Sequence, residues 1–398
     1  MKKLLAIILS LLLIFSLSAC GEKEPESTET NTNKQQSVKE PEPWYTKGEI
    51  TVTQEQVQKI VNGEFKTPKN VIVIIGDGMG PNDIILTEKY ADDTYDFGLV
   101  VNQIVNHGLA TTYSASSDVT DSAASGTALS TGTKTKNGYI GKDIKRNDLK
   151  TMAETAREAG KKVGIITDEV ISGATPTAFT VHNISRTNTE ELINSMIKFK
   201  PDVLMGKDYS SVANHLEEEE RKIFENDYLV AKDFTKFKEV LDTDSKCKKP
   251  FLGFLDGYST ASSYNLAQCA EVAFKRLQNE NGFFLMIESA GTDAYGHGNN
   301  IDGKLSSVVT LDRTVAAALL FMEKNPDTLL IVTSDHETGG VQLPADNSND
   351  LSNLFTSTYH TSTKVRVFAV GKGTEYFKGQ TVDNTDIAKF LIKAIKGE

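Results

Sequence analysis

The stretch Val71-Ile-Val-Ile-Ile75 is an uninterrupted run of β-branched residues, and Asp77 follows it two residues later. Runs of this kind indicate strands that are buried on both faces of a sheet. Similar runs occur along the chain, with helical patterns between them, at residues 163–167, 203–205, 283–287, 329–332 and 365–370. The alternation predicts the α/β class, with a mostly parallel, doubly wound central sheet flanked by helices.

Helical patterns can be located between and after these runs. Apolar residues from 149 to 156 share one helix face, and Gly160 follows them as a C-terminal cap. A second apolar face extends from Val308 to Met322. Thr385-Asp386 is expected to cap a last helix.

The N-terminus has the pattern of an export signal. Two lysines precede an apolar run at residues 4–17, which is shorter than the roughly 20 residues of a membrane-spanning helix. Residues 1–19 are therefore predicted to be a signal peptide. Leu17-Ser-Ala-Cys20 also resembles the bacterial lipobox, which predicts a lipidated Cys20 and a location at the outer face of a bacterial membrane. Ordinary secretion with an unmodified Cys20 is the alternative.

The composition changes after the signal. Residues 20–45 are dominated by polar and charged residues with proline and bury too little apolar surface to fold, so they are predicted to be a disordered, lipid-anchored tether. Residues 46–398 are predicted to form one folded domain, with a charged surface insertion near 187–251. Cys247 and Cys269 suggest a disulfide in an exported protein, and two buried free thiols are the alternative.

The charge balance limits the range of partners. The chain carries 43 basic and 54 acidic side chains, and its formal net charge is −11. Nucleic acid as a main partner is therefore not expected. A negative protein can still bind an anionic substrate if metal ions make the site locally positive.

Acidic residues and histidines follow several of the predicted strands. Ligand sites in such sheets lie beyond the carboxyl ends of the strands, so these side chains are expected to converge on one rim. Carboxylates with imidazoles and no cysteines suit zinc, and an all-oxygen set suits magnesium. Taken singly, each acidic residue would more often be a cap or an ion-pair partner. The residues concerned are Asp77, Glu288, Asp293, His297, Asp335, His336 and His360.

Ser122 opens a segment of small, helix-compatible residues after Thr120-Asp121. Read locally, a serine at a helix start favours an N-cap role. The functional interpretation is that the first turn of the helix holds a phosphate, with the Ser122 hydroxyl aimed at phosphorus.

Four motifs resemble those of the alkaline phosphatase family, in the family's order. They are Val73-Ile-Ile-Gly-Asp77-Gly-Met-Gly80, Asp121-Ser122-Ala-Ala-Ser-Gly-Thr-Ala-Leu-Ser-Thr-Gly132, Ala174-Thr175-Pro176 and Thr333-Ser-Asp335-His336-Glu-Thr-Gly-Gly340. The resemblance extends from about Asn70 to Gly371. It implies a lipoprotein-type bacterial phosphatase that hydrolyses small-molecule phosphate monoesters through a phosphoserine.

The resemblance also implies roles for individual residues. Ser122 is the nucleophile, and Arg186 binds phosphate beside Asp121. The implied cofactors are two zinc ions and one magnesium ion. Their implied ligands are Asp293, His297 and His360 for the first zinc; Asp77, Asp335 and His336 for the second; and Asp77, Thr175 and Glu288 for magnesium.

Two positions depart from the best-known bacterial pattern. Gly173 stands where some members of the family carry Asp and others His, and Ala294 stands where some carry Lys and others His or Trp. The third metal is therefore expected to be more hydrated and weaker, so that activity responds strongly to added magnesium.

Other functions and the oligomeric state stay open at this level. A phosphodiesterase or sulfatase of the wider superfamily is the chief alternative, and an inactive phosphate-binding lipoprotein is a second one. Arg186 and the Asp121-Ser122 pair favour a monoester dianion. Family members are often dimers, and a homodimer is one outcome that the sequence leaves open.

Overall fold

The structure of the protein is a computed structural model that describes residues 50–91, 93–237, 249–256, 265–345 and 350–398. The predicted signal peptide and tether lie outside the described residues, as do residues 46–49 of the predicted domain. Cys20 and Cys247 also lie outside them.

The described strands make one large sheet and a two-stranded ribbon. They are β1 (Asn70–Gly76), β2 (Asn106–Thr111), β3 (Lys162–Val170), β4 (Val203–Lys207), β5 (Leu229–Ala231), β6 (Phe251–Phe254), β7 (Phe283–Ser289), β8 (Thr328–Thr333), β9 (Glu337–Thr338), β10 (His360–Thr361), β11 (Val365–Val370) and β12 (Thr381–Asp383).

The large sheet has ten described strands in the order β12-β2-β11-β8-β1-β7-β3-β4-β6-β5. β1 pairs in parallel with β7 and β8 at its centre, and β11 runs antiparallel to both of its neighbours, β2 and β8. The other described pairings are parallel. The predicted α/β class with a mostly parallel sheet is confirmed.

The described helices cover both faces of this sheet. They are α1 (Gln54–Val61), α2 (Pro81–Tyr90), α3 (Ser122–Thr131), α4 (Met152–Glu158), α5 (Ala174–Ala178), α6 (Thr189–Phe199), α7 (Tyr209–His215), α8 (Glu218–Asn226), α9 (Asn265–Leu277), α10 (Gly291–His297), α11 (Ile301–Lys324) and α12 (Asn384–Lys396).

Alternation along β1 explains the two-sided arrangement. Ile72 and Ile74 belong to one apolar core, whereas Val71, Val73 and Ile75 belong to another. Successive side chains of a strand point to opposite faces, so the central strand supplies both cores and needs helices on each side.

α11 is a core helix of this fold. It is long and apolar enough to span a membrane by length and composition, but 83% of its most apolar window is buried among the other elements. Burial inside the domain accounts for its apolar character.

Two predictions about local structure are corrected, and a third is not tested. The segment 187–251 is not only a surface insertion, because α6, β4 and β5 lie within it and both strands join the main sheet. Cys269 is a fully buried thiol on α9, but Cys247 lies outside the described residues, so the predicted disulfide stays a prediction. The last helix has Asp383 as its N-cap, whose carboxylate accepts the Thr385 N–H, and Asp386 completes a capping box by accepting the Asp383 N–H at 3.3 Å, so the cap begins two residues earlier than predicted.

Candidate active site

The carboxyl ends of the central strands meet around a cavity of about 260 Å³. Asp77 directly follows β1, Glu288 is the penultimate residue of β7, and Asp335 lies two residues beyond β8. Because β7, β1 and β8 are adjacent and parallel, these three carboxylates are brought to one rim. The cavity is lined by Asp77, Ser122, Arg186 and Asp293 among others.

Ser122 is the first residue of α3, and Asp121 before it is the N-cap. The Asp121 carboxylate accepts the Ala124 N–H at 2.9 Å, so capping does not occupy the serine hydroxyl. Ser122 is 3% exposed, and its Oγ lies 3.2 Å from Nε2 of His336. The locally favoured N-cap role for Ser122 is therefore wrong, and the hydroxyl faces the acidic rim.

The first cluster of metal-ligating side chains consists of Asp77, Asp335 and His336, whose ligand atoms lie within 4.8 Å of one another. His336 Nε2 is 3.1 Å from Asp335 Oδ2 and 3.5 Å from Asp77 Oδ1. Asp77 Oδ1 and Asp335 Oδ2 are buried without a hydrogen-bond donor. Nδ1 of His336 lies 3.2 Å from the Thr338 hydroxyl, which leaves Nε2 turned toward the carboxylates.

The second cluster centres on Asp293, with His336 and His360 within the same 4.8 Å limit. His360 Nε2 is 3.4 Å from Asp293 Oδ1, and His297 Nε2 is 3.3 Å from Asp293 Oδ2. The His336 and His360 rings stack at 3.5 Å between centroids. The predicted trio of Asp293, His297 and His360 is thus brought together, with His336 shared between the two clusters.

Backbone carbonyls orient two of these histidines. Nδ1 of His360 lies 2.9 Å from the Thr120 carbonyl oxygen, and Nδ1 of His297 lies 2.6 Å from the Thr358 carbonyl oxygen. A hydrogen bond at one ring nitrogen fixes the tautomer and leaves the other nitrogen as the ligand, an arrangement that recurs at protein metal sites.

A third group joins Asp77 to Glu288 and Thr175. Glu288 Oε2 accepts a hydrogen bond from the Thr167 hydroxyl, while Oε1 of Glu288 and Oγ1 of Thr175 are buried without a partner. An unpaired buried oxygen is costly, so each of these atoms fits a cation that the chain binds.

Like charges dominate the electrostatics of the rim. Burial and the charge of Asp335 raise the pKa of Asp77, and burial and the charge of Glu169 raise that of Glu288. Burial and the charge of Asp293 raise the pKa of Asp335 to about 6. Carboxylates this close are stable together in ionised form only if cations neutralise them.

Histidines hold one carboxylate ionised even without a cation. Burial acts to raise the pKa of Asp293, but the hydrogen bond from His360 and the charge of His336 lower it below its usual range. Asp293 is therefore the acidic residue best prepared to bind a cation.

Arg186 reaches the cavity from the loop after α5. Its Nη1 lies 3.3 Å from Asp121 Oδ2, and its side chain is 37% exposed. The same Asp121 oxygen accepts the Gly138 N–H at 2.9 Å. The guanidinium is thus anchored beside Ser122 and still open to the cavity.

Four residues of the site were not predicted. Asp168, Glu169 and Lys207 line the cavity, and Thr338 donates a hydrogen bond to Asp293. Asp168 and Glu169 lie at the carboxyl end of β3, so the positional rule that identified Asp77 and Glu288 could have found them. Lys207 ends β4 and could have been found by the same rule, whereas no sequence signal pointed to Thr338.

A rim in which buried carboxylates, imidazoles and a serine hydroxyl converge on an open arginine defines the class as metal-binding α/β enzymes. Comparison with known proteins narrows this class. The chain belongs to the alkaline phosphatase family, whose model matches residues 68–215 and 241–354.

The chain matches curated phosphatases over most of their length. The chain is 29% identical to alkaline phosphatase 3 of Bacillus subtilis, over 87% of this chain and 93% of the relative. It is 31% identical to alkaline phosphatase of Escherichia coli, over 68% of this chain and 70% of the relative. The protein is therefore a phosphatase that acts on phosphate monoesters.

Solved structures agree with the fold. Alkaline phosphatase from the Antarctic bacterium TAB5 has a TM-score of 0.69 and 29% identity, over 84% of this chain and 99% of that chain. A histidine-to-glutamate mutant of the same enzyme, with magnesium bound in its M3 site, has a TM-score of 0.70.

Proposed function

We propose that the protein hydrolyses phosphate monoesters through a phosphoserine at Ser122, with two zinc ions and one magnesium ion. The observation that carries the proposal is the position of the Ser122 hydroxyl. It is buried, free of the capping role, 3.2 Å from a metal-ligating imidazole, and part of the cavity that Arg186 lines.

The residues that would hold the cations follow from the three groups. Asp293, His297 and His360 would hold the first zinc, and Asp77, Asp335 and His336 the second. Asp77, Thr175 and Glu288, which offer only oxygens, would hold magnesium. The magnesium in the TAB5 mutant supports a third site of this kind.

When bound, such cations favour the ionised form of the serine hydroxyl, stabilise charge on the departing oxygen and lower the pKa of water. Ser122 Oγ forms a bond to phosphorus as the bond from phosphorus to the ester oxygen breaks. The alcohol leaves with a proton. Water then displaces Ser122, which releases inorganic phosphate and restores the hydroxyl.

Two features of the chain position the phosphoryl group. The first turn of α3 presents backbone N–H groups and the positive end of the helix dipole beside Ser122. Arg186 offers a planar pair of N–H donors that matches two phosphate oxygens. Because Asp121 both caps α3 and contacts Arg186, one carboxylate aligns the two.

Acid-quench labelling with a radioactive phosphate monoester tests the nucleophile. We expect wild type to retain the label on Ser122 and Ser122→Ala to retain none. The kcat of Ser122→Ala should fall by at least about a thousandfold. Zinc content of both proteins is measured in parallel, and Ser210→Ala, an exposed serine at the start of α7, is the matched control. A metal-replete Ser122→Ala protein that still takes up label would contradict the assignment.

We also propose that the protein is exported and held at the outer face of a bacterial membrane by a lipidated Cys20. The lipobox-like Leu17-Ser-Ala-Cys20 and the polar segment after it support this location.

A further inference from the structure

Gly173 has no room for a side chain, and the atom that takes the room belongs to Glu169. A Cβ built on Gly173 would lie 1.8 Å from Oε1 of Glu169 and 3.0 Å from the carbonyl oxygen of Val170. The backbone does not require glycine here, since φ is −54°. The glycine is therefore explained by the Glu169 carboxylate that occupies its side-chain space.

This carboxylate lies at the third group of candidate ligands. Glu169 is two residues after Thr167, whose hydroxyl donates to Glu288, and Gly173 is two residues before Thr175. Glu169 also lines the same cavity as Asp77. Thr167 pairs with Glu288 in the parallel register of β3 and β7, and, after burial, the charge of Glu169 is the largest cause of the raised pKa of Glu288.

Among the described residues, the Glu169 carboxylate accepts no hydrogen bond, and the charge that attracts it is that of Arg186. Within the described part of the chain, the hydrogen bond of this residue is made by its backbone N–H, which donates to the Thr167 hydroxyl at 3.1 Å. Beside it, Oε1 of Glu288 and Oγ1 of Thr175 are also unpartnered, and both residues are fully buried. Two buried oxygens without hydrogen-bond partners beside an additional carboxylate point to a cation.

We propose that Glu169 is part of the third cation site of this protein, where its carboxylate supplies the negative charge and fills the space that residue 173 does not. The inference rests on the proposed magnesium site. It revises the expectation drawn from Gly173 alone, because the site keeps an acidic side chain that comes from the end of β3 and not from the start of α5.

Magnesium binding to the zinc-loaded protein, measured by calorimetry and by metal content after gel filtration, tests the proposal without relying on turnover. Glu169→Gln keeps the shape and removes the charge, and we expect it to raise the magnesium Kd tenfold to a hundredfold, the usual effect of losing a supporting group at a metal site. Glu158→Gln, an exposed glutamate on α4, is the matched control and should leave the Kd unchanged.

A second variant tests the geometry with the charge retained. Gly173→Ala places a methyl group where the Glu169 carboxylate lies, so the carboxylate must move and the magnesium Kd should also rise. In the double variant, Glu169→Gln with Gly173→Ala, the effects should not add, because both changes act on one group. Unfolding temperatures of the metal-free proteins check that each variant folds.

The proposal is overturned if the magnesium Kd of Glu169→Gln stays within twofold of that of wild type. It is also overturned if the effects of Glu169→Gln and Gly173→Ala on the magnesium Kd add in full in the double variant. These outcomes differ from a failure of the proposed function. If wild type takes up no label on Ser122 while Glu169→Gln still weakens magnesium binding, the phosphoserine mechanism fails and the role of Glu169 stands.

Discussion

Asp121 connects three parts of the site through one carboxylate. It accepts N–H groups from Ala124 and Gly138, both at 2.9 Å, and contacts the Arg186 guanidinium at 3.3 Å. The start of α3, the loop at Gly138 and Arg186, the proposed phosphate-binding residue, are therefore held in a fixed arrangement. The side chain contributes both a structural cap and an electrostatic contact, and these can be separated by substitution.

Asp121→Ala and Asp121→Asn should separate the two roles. Alanine removes the cap and leaves the Gly138 N–H without its acceptor, so we expect a loss of about 1–2 kcal/mol in the free energy of unfolding. Asparagine is an equally good N-cap through its one amide oxygen but cannot also accept the Gly138 N–H, so its stability should lie between those of the alanine variant and wild type. Both variants should raise KM, since each removes the charge opposite Arg186.

Urea unfolding of the two variants beside wild type provides the measurement for Asp121. If the alanine variant is as stable as the asparagine variant, the cap makes no measurable contribution and the side chain acts on Arg186 alone.

At the level of single residues, much of the candidate site could be predicted because acidic residues and histidines, which suit metal binding, follow the predicted strands. Asp77 and Glu288 follow uninterrupted strand patterns, so their arrival at one rim could be argued from the parallel sheet. Thr338 could not be found, because its role depends on a hydrogen bond to Asp293 across 45 positions of the chain. The significance of Glu169 likewise depends on a space left by Gly173 that only coordinates reveal.

Among the elements, α11 carries polar groups in a buried environment. Asp312 is 2% exposed, and its carboxylate accepts N–H groups from Val100 at 3.0 Å and Val101 at 2.8 Å. These donors lie at the start of the short 3-10 helix Val101–Gln103. The side chain thus joins that turn to the long core helix.

Asp312 should make the stability depend on pH. Burial raises its pKa from 3.8 to about 7, although the Val101 and Val100 N–H groups oppose the shift. The folded protein then holds the proton more tightly than the unfolded chain. The stabilisation is complete below about pH 4 and is lost as pH rises through about 7, by roughly a few kcal/mol in total.

Asp312→Asn, whose side chain does not titrate, is the reference for this effect. Unfolding free energies of wild type and variant are compared in chelator between pH 4 and pH 8, so that shared contributions cancel in the difference. We expect the stability of wild type relative to the variant to fall with rising pH. A difference that is flat, or that rises, would show that Asp312 is not the titrating group.

The elements also show where pattern reading stops. Long apolar strands such as β1 and β7 were predicted because burial on both faces leaves a continuous signal. β5 has three residues and β12 has three, which is too short for a pattern. In the segment 187–251, the run at 203–205 predicted β4, but the charged run at the start of α8 hid β5, which follows that helix within a few residues.

At the scale of the whole molecule, the anchor and the catalytic rim are far apart in sequence. The first residue that lines the cavity is Asp77, and the described part of the chain begins at Ile50. The proposed lipid anchor at Cys20 should therefore determine where the protein resides without affecting its chemistry.

Cell fractionation of a Cys20→Ser variant tests that separation. We expect the variant to move from the membrane fraction to the soluble exported fraction, with kcat/KM within about twofold of wild type, because a lipid anchor acts only through membrane partitioning. Cys247→Ser, which leaves the lipobox-like sequence intact, should remain with the membrane. A Cys20→Ser protein that stays membrane-bound would contradict lipidation at this residue.

The small ribbon of β9 and β10 links the two histidine-containing clusters. His360 pairs with Thr338 and Thr361 with Glu337, while His336 lies directly before β9. Each cluster therefore has a ligand in this ribbon or directly before it. An ion bound at one cluster also fixes ligands of the other, so the two proposed zinc ions should bind with positive cooperativity. Thermodynamic linkage makes the effect mutual: release of either ion weakens retention of its neighbour by the same factor.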